Sequence, residues 1–93
     1  MTRESITAAL EGEGLGAGAQ GYTIPESREV TCLVAAPGDV FSVDRIVRID
    51  LKDKFLLLEN TRRERFFFAY EDLLGIKMLA APNAKERVAG FGR

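Results

Sequence analysis

Between Val40 and Leu51 the sequence VFSVDRIVRIDL alternates apolar and polar side chains, then loses step in the middle. Phe41, Val43, Val47, Ile49 and Leu51 fall on one face of an extended chain, and Ser42, Asp44, Arg48 and Asp50 on the other. Arg45 and Ile46 break the order. A period of two marks a strand with one buried face, because successive strand side chains point to opposite sides. A long strand with one fault in that alternation is what a bulged, strongly bent strand produces. This segment limits the folds open to the chain more than any other.

The flanking segments supply partners for it. Glu29–Ala35 sets Val30, Cys32 and Val34 against Thr31 and Leu33, and Pro37-Gly38-Asp39 forms a turn in which proline presets φ and glycine tolerates a positive one. Lys52-Asp53-Lys54 turns the chain into Phe55–Glu59, a continuous apolar run expected to be covered on both faces. Asn60-Thr61-Arg62-Arg63 makes the next hairpin turn, and Arg65–Tyr70 alternates Phe66, Phe68 and Tyr70 against Phe67 and Ala69. Tyr70–Gly75 reads as one helical or 3-10 turn before a short strand, Ile76–Leu79. Five strands joined by connections this short predict a mainly β fold, a small bent barrel over residues 28–80. A flat sheet of these strands would expose two long apolar edges, which favours closure.

Residues 1–11 carry a short helix. Thr2 or Ser5 can cap it, and Ile6, Ala9 and Leu10 form a thin apolar stripe. Residues 12–27 are glycine-rich and read as a linker, and residues 81–93 as a loose tail. At 93 residues the chain is one domain. A domain of this size buries only about 60–65% of its unfolded surface, so association with further copies would add needed stability.

The charge balance is 13 basic against 14 acidic residues, with no histidine. That excludes a bulk electrostatic binder of duplex DNA, although 61–70 is locally basic through Arg62, Arg63 and Arg65. A single cysteine, Cys32, allows no internal disulfide and no thiolate metal site, which fits a reducing cytoplasm. No leader-like segment opens the chain, and no apolar run is long enough to cross a bilayer.

Chemical motifs are absent or fail their structural test. Gly16-Ala17-Gly18-Ala19-Gln20-Gly21 matches G-x-G-x-x-G, but neither the strand before it nor the helix after it is predicted, so no dinucleotide site follows. Asp39, Asp44, Asp50 and Asp53 lack the crowded spacing of a calcium loop. Cys32 has no histidine to activate it, and no pair of carboxylates is nominated for acid–base work. The expectation is a chain with no catalytic residues, no metal, no cofactor and no small-molecule substrate.

Two groups of residues remain. Phe66, Phe67 and Phe68 cannot all face one core, because strand side chains alternate, so at least one ring must meet something else. With Tyr70, Ile76 and Met78 they are the candidate interface. The arginines beside them suit phosphate contact in a single-stranded RNA site with aromatic stacking.

The early helix, the run Asp53–Asn60 (DKFLLLEN) and the run Phe68–Ile76 (FAYEDLLGI) together resemble the Sm-like family, in particular the bacterial host-factor RNA chaperones. The resemblance covers about residues 30–79. It implies a five-stranded SH3-like or Sm-like bent barrel with a short N-terminal helix, and rings assembled by edge pairing of the fourth and fifth strands. It also implies RNA, for which Arg45, Arg48, Arg62, Arg63 and Arg65 are the candidate phosphate contacts. Where the family carries a Lys-His pair after the aromatic residue, this chain has Glu71-Asp72. The leading expectation is therefore a homo-oligomerising protein-interaction or assembly module; a ring that binds single-stranded RNA is the alternative.

Overall fold

The computed structural model describes residues 1–80; the expected tail, 81–93, lies outside the described residues. Helix α1 spans Arg3–Gly12 and starts where the Thr2 hydroxyl accepts the Ser5 N–H at 3.0 Å, so Thr2 is the cap. Beyond its end the Gly14 N–H donates to the Glu11 carbonyl and the Leu15 N–H to the Leu10 carbonyl. Gly14 sits at φ 87°, in the left-handed region that glycine enters without a Cβ penalty. Ile6, Leu10 and Leu15 are all buried, so the thin stripe and the helix's stop signal dock together on the core.

The segment read as a linker is instead built into a sheet. Strands β1 (Ala17–Gly18) and β2 (Gly21–Thr23) form a small hairpin, and β2 pairs antiparallel with β5 (Ile46–Leu51), matching Tyr22 to Ile49 and Thr23 to Arg48. The physical reason lies at Gly21. A Cβ there would stand 2.5 Å from the Ile49 carbonyl oxygen and 2.7 Å from the Asp50 Cα, and its φ is +92°. Glycine at this point serves close backbone approach rather than flexibility. Tyr22 and Ile24, set among the glycines, are buried and anchor the segment.

The remaining strands are β3 (Arg28–Ala36), β4 (Asp39–Val43), β6 (Leu56–Asn60), β7 (Arg65–Phe68) and β8 (Leu73–Ala80), with a 3-10 turn at Tyr70–Asp72 before β8. They make two antiparallel sheets, ordered β4-β3-β8 and β1-β2-β5-β6-β7. The expected second strand is thus two strands in two sheets, and the fault at Arg45 is the corner between them, with φ 55°. A bulge between Ile46 and Arg48 then resets the phase of β5 against β6. Ile46 and Ile49 are buried as a result, whereas Val47 and Leu51, expected on the face of Ile49, are only half-buried. In β6, Leu56, Leu57 and Leu58 are all buried, as a run covered on both faces requires.

The protein is mainly β, with one short N-terminal helix. Among the described residues the two sheets share no hydrogen-bonded ladder. Side chains join them instead: Val30, Cys32, Val34 and Val43 from one sheet meet Ile46, Ile49, Leu56 and Leu58 from the other, with Ile6 and Leu10 of α1 in the same cluster.

Because the Gly21 clash is with backbone, Gly21→Ala is expected to lower stability by about 2 kcal/mol or more. Gly18→Ala, whose Cβ would lie 3.8 Å from its nearest atom, is expected to change little. Urea midpoints of the two variants, measured side by side, check this.

Candidate interaction surfaces

Among the described residues strand β7 is bonded along one edge only, to β6, pairing Phe68 with Leu56, Phe67 with Leu57 and Phe66 with Leu58. The Asn60 N–H donates to the Glu64 carbonyl at 3.1 Å. In an antiparallel ladder bonded pairs recur every second residue, so Phe66 and Phe68 direct their backbone groups to β6. Arg65 and Phe67 direct theirs to the open edge.

Side chains follow the same alternation. Phe66 and Phe68 lie half-buried against the core with rings stacked at 6.2 Å and 3°. Phe67 points the other way and is 58% exposed, with its ring 5.7 Å from that of Phe55, itself 39% exposed. Of the three consecutive phenylalanines, Phe67 is the one left outside the core. Phe55 was not among the interface candidates; its position opening an apolar run gave no sign that it would leave the core.

The other interface candidates divide. The Tyr70 hydroxyl donates to the Lys52 carbonyl at 2.5 Å and burial raises its pKa, so its role is to tie the turn before β8 to the β5–β6 connection. The Met1 amino group donates to the Tyr70 and Leu73 carbonyls at 2.9 and 2.6 Å and holds the same turn. Ile76 and Met78 are half-buried against the core, with the Arg28 guanidinium on the Met78 sulfur. On β8 the exposed apolar residues are Leu74 and Leu79, at 52% and 49%.

The five candidate arginines are not equivalent. Arg48 is consumed by structure: it donates to Glu59 at 2.9–3.0 Å and to the Gln20 carbonyl at 3.0 Å, and lies 3.7 Å from Asp50. Cross-strand pairing of Arg48 with Glu59 puts these charges side by side, so this guanidinium is withdrawn from any ligand. Arg62 pairs with Glu64 at 3.4 Å while remaining largely exposed. Arg45, Arg63 and Arg65 make no side-chain hydrogen bond or ion pair among the described residues. Arg28, which the sequence did not single out, is ion-paired with Glu13 and fastens the end of α1 to β3.

Asn60 is the one polar or charged residue classed as buried among those described, and its side chain makes three hydrogen bonds. Its oxygen accepts the Arg62 and Glu64 N–H groups at 3.0 Å, and its amide donates to a Glu64 carboxylate oxygen at 2.7 Å. It thereby dictates the shape of the β6–β7 turn that carries the arginines. Glu71 and Asp72, in the 3-10 turn, stand at the opposite end of β7.

Among the described residues no three His, Cys, Asp or Glu side chains are grouped to hold a metal ion, and no helix is long and apolar enough to cross a membrane. Set against protein-family models, curated proteins and solved structures, the chain matches none.

Cys32 is fully buried, and burial pushes its thiol up to about 12. A raised thiol pKa keeps the group neutral through the ordinary pH range, and the thiolate is the reactive form. Cys32 in the folded protein is therefore expected to resist an aromatic disulfide reagent at pH 8 and to react at the rate of unfolding, with full reaction in denaturant.

Proposed function

We propose that this chain is a non-enzymatic, homo-oligomerising interaction module of a reducing compartment such as the cytoplasm, joining copies through the open edges of its sheets. The observation that carries the proposal is Phe67. It places a large, mostly exposed aromatic ring on an edge strand, beside backbone donors and acceptors that lack a partner strand among the described residues. Such an edge is a template for another strand, and monomeric proteins usually blunt it with charge, proline or a covering loop.

The complementary edge is β8, the outer strand beside β3, which exposes Leu74 and Leu79. Because β7 and β8 are different edges, joining one to the other is a head-to-tail contact. Repeated, such a contact gives a ring where its rotation closes and an open filament where it does not. The Sm-like resemblance implies rings joined through the fourth and fifth strands expected from the sequence, to which β7 and β8 correspond in chain order.

Light scattering at tens of micromolar protein is expected to give a mass that is a multiple of the 10.3 kDa chain. Phe67→Glu, on the outer face, is expected to return the mass to one chain with the circular dichroism spectrum unchanged. A wild-type protein that stays at the single-chain mass would sink this reading.

A further inference from the structure

Where the corner between β4 and β5 meets the β6–β7 turn, a cavity of about 380 Å³ opens to solvent, at the low end of the size usual for a small-molecule site. Its apolar wall is the pair Phe41 and Phe66, with ring centroids 6.3 Å apart and tilted by 56°. Phe41 is 45% exposed and presents a free ring to the opening. Ser42, Thr61, the cations Arg45 and Arg62 and the carboxylates Asp44 and Glu64 also line it. The frame is held from within, since the Thr61 N–H donates to the Arg45 carbonyl at 3.0 Å and Asn60 grips the turn that carries Arg62.

Two backbone positions here are unusual. Arg45 and Arg63 are the non-glycine residues at positive φ among those described, at 55° and 66°. This conformation disfavours any residue with a Cβ, and glycine or asparagine would relieve it. Both positions carry arginine, both lie in the connections that frame one cavity, and neither guanidinium has a partner among the described residues. Strain retained at such a place points to a use for the side chain.

The charges around the cavity also separate by role. Glu64 is occupied by Asn60 and Arg62. Asp44 has no side-chain partner among the described residues, and lies in the lining as an acceptor for an amino group. Arg45 is the lining cation left free for an anion. A free aromatic face, short-range donors and acceptors, and an unpaired guanidinium together match a planar heterocycle carrying a phosphate.

We propose that this cavity binds one nucleotide unit, with the base stacked on Phe41 and the phosphate on Arg45. The site lies at the other end of β7 from Tyr70-Glu71-Asp72, and Phe67, on the outer face of that strand, is no part of it. It stands independently of edge-to-edge assembly.

Amide-resolved NMR titration of the full chain tests it, with AMP, GMP, CMP and UMP, inorganic phosphate, and a short single-stranded RNA as probes. Saturable shifts are expected for at least one nucleotide, confined to residues 41–45 and 60–66. Arg45→Gly removes the guanidinium while suiting the backbone, so it should weaken binding by about tenfold or more without lowering the unfolding midpoint. Tighter binding of the RNA than of any mononucleotide identifies a strand as the source, and the reverse identifies a free nucleotide. Absence of localised shifts at millimolar nucleotide, equal affinity for phosphate alone, or unchanged binding by Arg45→Gly would each overturn the proposal.

Discussion

Among the described residues the two sheets of this protein share no hydrogen-bonded ladder; packed side chains hold them together where the chain turns from one to the other at Arg45, and most of the structure follows from that. With no ladder running from one sheet into the other, the cluster formed by β3, β4, β5, β6 and α1 must supply the cohesion that a closed hydrogen-bonded barrel would share with its backbone. A chain this short has few residues to spend on a core, so the helix and the β1–β2 hairpin are recruited to it. Ile6, Leu10, Leu15, Tyr22 and Ile24 all contribute buried surface from outside strands β3–β8. Loss of any large member leaves a cavity that a thin core cannot refill, at a cost of about 2–5 kcal/mol for a leucine truncated to alanine.

Polar interactions then set the details that packing leaves open. The cross-strand pair of Arg48 and Glu59, with Asp50 and Lys52 beside it, satisfies charge along β5 and β6. Its reach to the Gln20 carbonyl also secures the small hairpin. Asn60 determines where β6 stops and how the chain turns into β7. Both arrangements are internal, which is why residues that look available for a ligand in one dimension are not all available in three.

Besides the β8 edge with Leu74 and Leu79, two places carry groups that the fold leaves unused. One is the outer edge of β7, where Phe67 and Phe55 form an aromatic pair in solvent. The other is the cavity under the β4–β5 corner, where Arg45 holds an unfavourable backbone conformation beside Phe41. The first is the surface proposed to meet a second copy of the chain, and the second is the one proposed to take a nucleotide. Because Phe67 and Phe66 lie on opposite faces of β7, the two surfaces can operate at once.

The period of two, the turn residues and the unbroken apolar run at Leu56–Leu58 were enough for the mainly β class, the central strands and the short helix. They were enough because those signals are local and depend only on alternation and turn chemistry. Alternation also required one ring of Phe66–Phe68 to leave the core, and left open which. The fault at Arg45-Ile46 was visible in the sequence as a break, but its result, a corner between two sheets with a reset phase that buries Ile46, depended on where the partner strands lie. Gly21 shows the limit most clearly. A glycine-rich stretch reads as flexible until the backbone of Ile49 and Asp50 is brought against it, and only then does the missing Cβ become a requirement of packing. The candidate arginines were equal in the sequence for the same reason: tertiary structure decided which of them met a carboxylate, and Arg48 did while Arg45 did not.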